Sequence, residues 1–290
     1  MANAREIRLR MKSIKETKKI TKAMKLISAA KLKKSRQQLE QTLPFFKKVQ
    51  ETIADILIHS TDIDVKYFDK RENKSNKKSL FIVIAGDKGL AGGYNANVLK
   101  LAEKQLAEAQ NPVILTIGHM CHNNFRRKGY QIFNEFAYPS QNPSVYRARE
   151  IGDVIIDEFV KGNIDEVYLI YTLMVNALRL EPQAMKLLPL DVNNLKDINL
   201  EHTTNHSFLY EPSPKAVFNV LVPKYLKGIL YGALVESFTS ELSARMMAMD
   251  SATSNADKMI QKLTLSYNRV RQAAITQEIS EIVGGAAVLQ

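Results

Sequence analysis

Apolar residues recur at steps of four and three near the start of the chain: Ile7, Met11 and Ile14, then Ile20, Met24 and Ile27. That spacing lays them along one helix face. No Pro or Gly interrupts the run before Pro44, and its residues are mostly good helix formers. The pattern resumes through Phe46, Val49, Ile53 and Ile56, which predicts a helix that kinks at Pro44 and continues to about His59. At about 1.5 Å per residue, the stretch before Pro44 alone would reach about 65 Å. An isolated globular domain rarely needs such a rod.

The other end of the chain repeats the theme. Between Gly232 and Gly284 there is neither Gly nor Pro, room for a helix of about 76 Å. Stepping by three and four from Val235 gives Phe238, Leu242, Arg245, Met249, Ala252, Ala256, Met259, Leu263, Ser266, Val270, Ala273, Gln277 and Ser280. A heptad-like spacing held that long predicts a coiled-coil strand with an unusually small seam. Two rods at opposite ends of one chain pack most simply on each other as an antiparallel pair. Homodimerisation through either rod is the alternative.

From Ser79 the grammar changes. SLFIVIAG reads as a buried strand, followed by the Gly-rich turn GDKGLAGGYN and a helix from about Asn95 to Ala109. A strand at Pro112–Gly118, a helix near His119–Lys128 and a short strand near Tyr130–Phe136 come next. A helix near Ser144–Lys161 precedes a strand over Asp165–Asn176, a hairpin at Ala177–Glu181 and a strand over Pro182–Leu190. Alternation at this spacing predicts an α/β domain with a mainly parallel sheet. No element is assigned to the polar stretch 191–213. The expected division is a helix over 1–60, an α/β domain over 78–210 and a second helix over 214–290.

Charge sharpens the picture. The net charge is +11, and residues 1–36 hold 13 Lys and Arg against two acids, Glu6 and Glu16. The other basic and acidic residues cancel, so the whole excess lies on the first helix. A field so concentrated implies an acidic partner: nucleic acid, anionic lipid or an acidic protein surface. No apolar run approaches the roughly 20 residues of a membrane span. A single cysteine, Cys121, excludes an intramolecular disulfide and fits a reducing compartment. With no secretory signal pattern at its start, the chain reads as intracellular and soluble.

Candidate chemistry is sparse. The glycines of GDKGLAGGYN (Gly86, Gly89, Gly92, Gly93) lack the GxGxxG spacing and the GK[ST] ending of a phosphate loop. A tight turn is the better reading. His119, Cys121 and His122 cannot all point at one metal from one short helix, and His202 with His206 lack the glutamate of HExxH. There is no GxSxG, and Cys121 has no orienting base in reach of an argument. The expectation is no catalytic residue, no metal and no cofactor: a mechanical or interaction protein.

At this point a resemblance enters. RQAAITQEISEIVGGAA (Arg271–Ala287) resembles the signature of the gamma subunit of F-type ATP synthases, which asks for Ile/Val-Thr-x-Glu, an acid three on, then Gly-Ala. Ile275, Thr276, Glu278, Glu281, Gly285 and Ala286 supply these in order. SARMMAMDSATSNADKMI, REIRLRMKSIKETKKITKAMKLISAAK and DKGLAGGYN also resemble the family, with Gly86 where many members carry Ser. The resemblance implies a central rotor shaft: an antiparallel coiled coil of the terminal helices with a Rossmann-like α/β domain at its foot. It implies no active site of the chain's own. Its partners would be the alpha and beta subunits of the catalytic ring, the epsilon subunit and the c-ring of a proton-translocating synthase on the cytoplasmic face of a bacterial membrane. Carried over residue by residue, Lys19, Lys22 and Lys25, with Met24 beside them, would face an acidic lever loop of the beta subunits. Arg271, Gln272 and Thr276 would touch beta loops higher in the ring, and the loop Lys88–Ala91 would lie just below it. A single cysteine argues against the thiol-switched chloroplast type.

The rivals are weaker. A nucleic-acid-binding coiled coil would want aromatic stacking, but the first aromatic is Phe45, outside the basic segment. A membrane-surface helix would want Trp or Phe anchors, and this face is Ile and Met.

Overall fold

The computed structural model describes residues 4–59, 65–69, 71, 76–133, 138–191 and 210–288. Helix α1 spans Ala4–His59 and is followed by a single 3-10 turn at Val65–Tyr67. Strand β1 (Lys78–Ile84), α2 (Tyr94–Glu108), β2 (Asn111–Ile117), α3 (His119–Arg127), α4 (Val145–Val160), β3 (Glu166–Met174), β4 (Leu180–Leu188) and α5 (Pro214–Val288) follow in order. The chain forms two compact units, Ala30–Ala244 and Met1–Ala29 with Arg245–Gln290. Both long helices contribute to each. The fold is thus the expected one, α/β with a mainly parallel sheet and two long helices.

In the α/β unit the sheet order is β2-β1-β3-β4. β1 pairs in parallel with β2 and β3, and β4 returns antiparallel along the edge of β3. A hairpin permits that return, whereas the parallel pairs need helical crossovers. Six of the seven β1 residues are buried, as a strand covered on both faces requires. On one face Leu80, Ile82, Ile84, Leu115 and Leu169 pack with α4, the last turns of α1 (Val49, Ile53, Ile56) and the first half of α5 (Phe218, Val222, Leu230). On the other, Phe81, Val83 and Ile114 meet Val98 and Leu106 of α2 and Cys121 and Phe125 of α3. Pro182 sits on the edge strand, the one place in a sheet where a missing N–H is cheap.

One expectation changes here. The strand near Tyr130–Phe136 is reduced, among the described residues, to a bridge at Ile132: Ile114 donates to Gln131 O at 3.0 Å and accepts from Phe133 N at 2.7 Å. The Gly- and Pro-free run after Gly232 is only part of the C-terminal rod. The rod starts at Pro214 and runs through Pro223, Gly228 and Gly232. Pro214 is tolerated because a first-turn N–H has no helical partner to lose. Gly228 is there for space: a Cβ on it would lie 2.3 Å from Cδ1 of the Phe46 ring.

In the helical-pair unit, α1 and α5 run antiparallel, with Lys18 beside Asp257 and Lys25 beside Asp250. The seam differs from expectation. Ile20 and Ile27 are 60% and 57% exposed, while Thr21 and Ser28 are buried. The seam of α1 keeps strict seven-residue columns: Ile7, Ile14, Thr21 and Ser28, and Met11, Lys18 and Lys25, are all buried or half-buried. An apolar reading drifts off this phase because the seam turns polar in the middle. On α5, Met249, Ala256, Leu263 and Val270 keep the expected column, but Met259 and Ser266 are exposed and Ile260 and Tyr267 take their places. From Arg271 to Gly284 every residue is exposed.

Candidate functional site

The carboxyl ends of parallel strands are where an α/β sheet holds a ligand. Here that crest is filled by the chain itself. Asp87, just after β1, accepts from the N–H groups of His119 (3.2 Å) and Ser140 (3.1 Å) through Oδ1 and of Gln141 (3.2 Å) through Oδ2. One carboxylate thereby ties three loops and occupies the start of α3, the position a phosphate would take. Asn95 closes the Gly-rich loop on itself, accepting from Gly86 N at 2.8 Å and donating to Lys88 O at 3.2 Å. Glu241, from α5, is buried, only 1% exposed. Its Cδ would lie 3.0 Å from a Cβ on Gly86, so the glycine makes room for a second buried acid. The Asp87 carboxylate at this crest would repel a nucleotide's phosphates.

Leu90 and Gly92 take left-handed backbone (φ +61° and +55°), and the turn presents Lys88 and Leu90 to solvent. Ala91 is 1% exposed. Its methyl is core, and the outward reach of the Lys88–Ala91 loop belongs to Lys88 and Leu90.

The histidine–cysteine cluster is structural. Cys121 is fully buried, and burial pushes its thiol up to about 12, so it is no nucleophile. The ring Nδ1 of His122 lies 3.0 Å from Thr116 Oγ1. Burial, then Arg126 and His119, hold its pKa below the ordinary histidine value. No group of His, Cys, Asp and Glu able to hold a metal occurs among the described residues. His202 and His206 lie outside them. A cavity of about 370 Å³ opens beside Phe81, Gln105, Glu108, Glu166 and Tyr168. Burial works to raise the pKa of Glu166, but bonds from Lys186 (2.8 Å) and Tyr168 (3.0 Å) overcome it and hold the carboxyl low. That acid is neutralised within its own sheet.

What the geometry offers instead is mechanical connection. At the end of β3, where β1 no longer runs alongside, Thr172 N donates to Ser237 Oγ (3.2 Å) and Thr172 O accepts from Ser240 Oγ (3.0 Å). Ser243 Oγ donates to Ala177 O at 3.0 Å. Helix α5 thus takes over hydrogen bonds a neighbouring strand would have made, and its serines at i, i+3 and i+6 share one face. Sequence reasoning passed over SFTSELS because it asked only which residues were apolar. A buried helix face with serine at every third position was the available signal.

In the helical pair the candidate contact residues separate into two kinds. Lys22 is exposed, and Lys19, also exposed, is held by Glu16 of its own helix at 2.9 Å. Met24 is half-buried. Lys25 reaches across to Asp250 at 2.6 Å, so its charge is engaged within the pair. Arg271, Gln272 and Thr276 lie on the exposed stretch of α5, where Thr276 Oγ1 donates to Gln272 O at 2.9 Å. Ile275, Ile279, Ile282 and Val283 there are 47–71% exposed. Spaced by four and three, they form an apolar stripe, which on a soluble helix marks an interaction surface. No described helix is long and apolar enough to cross a membrane.

A family model described as ATP synthase matches residues 3–289. The chain is 55% identical to the ATP synthase gamma chain of Ruminiclostridium cellulolyticum over 291 residues, 99% of each chain. It is 53% identical to that of Acetivibrio thermocellus over 295 residues, all of both chains. Among solved structures it resembles a chain in the central stalk and c-ring of the Tetrahymena thermophila mitochondrial ATP synthase. There the identity is 26% and the TM-score 0.58, over 80% of this chain and 99% of that one.

Proposed function

The chain belongs to the family of ATP synthase gamma chains, and we propose that it is the central-stalk rotor subunit of an F-type ATP synthase. It has no chemistry of its own; it couples ion-driven rotation of a c-ring to ATP synthesis or hydrolysis in a ring of alpha and beta subunits. The expected division of labour is a shaft from residues 1–60 and 214–290 and a foot from 78–210, the foot binding the epsilon subunit and the c-ring. Protons are the expected driving ion, and the cytoplasmic face of a bacterial membrane the expected place.

The observation that carries this reading is the end of α5. Counting from the Lys18–Asp257 pair, Ala4 lies level with Arg271, and α5 runs on to Val288. Seventeen further residues make about 25 Å of helix whose apolar stripe lies exposed among the described residues. A bearing surface inside a ring explains that stripe, and Arg271, Gln272 and Thr276 are placed to touch the ring's loops. Lys19, Lys22 and Lys88 offer further exposed cations. An asymmetric shaft presents a different face to each ring subunit, so orientation biases nucleotide affinity and, by linkage, nucleotide state biases orientation.

Co-expression of the tagged chain with alpha and beta subunits tests the reading. A ring carrying one copy of the chain, with strong ATPase, is expected. In that complex Arg271→Ala with Gln272→Ala should lower rotation-coupled ATPase about tenfold, as losing roughly 1.4 kcal/mol of contact would. A chain that ignores the ring and forms a tight, salt-sensitive DNA complex would replace the rotor reading with a nucleic-acid one. Normal coupling in the double variant would remove these two residues from the contact.

A further inference from the structure

We propose that Lys18, Lys25, Asp250 and Asp257 are positioning residues that lock the register of α1 on α5, and that Lys25 is thereby withheld from any partner surface. The functional half of this rests on the rotor reading; the register lock itself does not.

Lys18 Nζ lies 2.5 Å from Asp257 Oδ1, and Lys25 Nζ 2.6 Å from Asp250 Oδ1. Midway between these ion pairs the hydroxyls of Thr21 and Thr253 meet at 2.8 Å. The two cations are seven residues apart and so are the two acids, in opposite chain directions. Only one register satisfies both pairs. A slide of one heptad leaves a single pair, Lys18 with Asp250 or Lys25 with Asp257, and carries Thr21 away from Thr253.

The lock is needed because the usual device is sparse in this part of the seam. Interlocking large apolar knobs hold most coiled coils in register. Between Lys18 and Ser28 the buried seam positions of α1 are Thr21 and Ser28, with Met24 half-buried; on the facing helix the buried ones are Met249 and Ala256, so large apolar side chains are few and, in methionine, flexible. Small residues let the helices approach but do not oppose sliding. The side chains of the ion pairs are between one third and two thirds exposed, so each contributes little to stability. Polar groups at a seam act instead on register, as a single buried Asn does in a dimeric coiled coil. For a rotor, register matters: a shaft whose helices slide dissipates torque. The lock also divides the basic helix. Lys18 and Lys25 serve the pair, leaving Lys19 and Lys22 for an acidic partner.

The test is a charge swap read two ways. Thr21→Cys with Thr253→Cys supplies a cross-link reporter, since Cys121 is the only other cysteine and is buried. In that background, under mild oxidant, Lys25→Glu and Asp250→Lys should each lower cross-linking yield about fivefold, and the combined swap should restore it. In the assembled complex without the reporter cysteines, ATP-driven ion pumping per ATP hydrolysed should follow the same pattern. Two results would overturn the proposal. The first is a swap as impaired as Lys25→Glu alone with Asp250→Lys harmless, which would assign Lys25 to an acidic ring partner. The second is a cross-linking yield indifferent to all three charge changes. Failure to assemble with the ring would overturn the rotor reading instead, and cross-linking of the free chain would still decide the register.

Discussion

Helices α1 and α5 pass through both compact units and are held differently in each. In the α/β unit their seam is heavy: Val49, Ile53 and Ile56 of α1 and Phe218, Val222 and Leu230 of α5 join a sheet face in one apolar cluster. In the helical pair, around Thr21 and Ser28, the seam is small and polar, and specific side-chain bonds set the alignment. One seven-residue column of α1 carries both behaviours, reading Ile7, Ile14, Thr21, Ser28, Ser35, Thr42, Val49, Ile56. Its backbone periodicity never changes; only the chemistry at each level does. Burial energy suits the region that must remain one body. Directional bonds suit the one where alignment matters more than adhesion.

The hardest blow to this contrast falls on the serines of α5. The partners of Ser237 and Ser240 are backbone groups of β3, which no mutation can remove. Ser237→Ala with Ser240→Ala would leave the N–H and C=O of Thr172, a residue 2% exposed, without partners. An unsatisfied buried group costs about 1–3 kcal/mol, so the pair should cost about 2–6 kcal/mol in chemical denaturation. Ser243→Ala should cost less, because Ala177 is exposed and water can reach its carbonyl. A double variant as stable as the parent would mean that α5 is held to the sheet by apolar packing alone.

The next test concerns close approach. At Gly228 an added methyl would meet the Phe46 ring at 2.3 Å, and overpacking of that kind costs about 1–3 kcal/mol. Ala is also the better helix former by about 1 kcal/mol, which offsets part of the loss. The two effects separate in a Phe46→Ala background. There the clash is gone, and Gly228→Ala should become stabilising by up to about 1 kcal/mol. If the cost of Gly228→Ala persists without the Phe46 ring, close helix approach is not what this glycine supplies.

How much of this was legible follows from the same chemistry. Alternating strands and helices gave away the α/β domain because buried parallel strands such as SLFIVI read as unbroken apolar runs. Strand β4 could be read in spite of Pro182 because an edge strand tolerates it. The α1 seam was legible where it is apolar, at Ile7, Met11 and Ile14. It was lost at Thr21, because Ile20 one position away satisfied a rule that counts only apolar residues. The uninterrupted run after Gly232 understates α5 for a related reason. Gly228 and Gly232 are helix breakers by propensity, yet here tertiary packing outweighs a cost of about 1 kcal/mol each. Asp87 and Glu241 could not have been found at all from spacing. They come together at the crest from distant parts of the chain, and only folding shows that they fill a site a ligand would otherwise want.

The smallest effect is expected in the helical pair, and its smallness is the point. Thr21→Val with Thr253→Val removes both partners of one hydrogen bond and replaces them with groups of nearly the same shape. No backbone donor or acceptor is orphaned by it. One hydroxyl donates to the other, and the proton left over goes to a carbonyl of its own helix, Lys18 O for Thr21 or Met249 O for Thr253; either carbonyl already belongs to the helix ladder. Deleting both partners together is close to neutral, and two added methyls at a seam recover some apolar burial. The double variant should therefore lie within about 1 kcal/mol of the parent in denaturation, far below the serine pair in α5. Its register should loosen all the same, since the Thr21–Thr253 link is gone and the ion pairs on either side of it must hold alignment. Site-directed spin labels on α1 and α5 would read that as a broader distance distribution at unchanged stability. A large loss of stability would show that the middle of the seam adheres by the same means as the α/β core, and the contrast between the two regions would collapse.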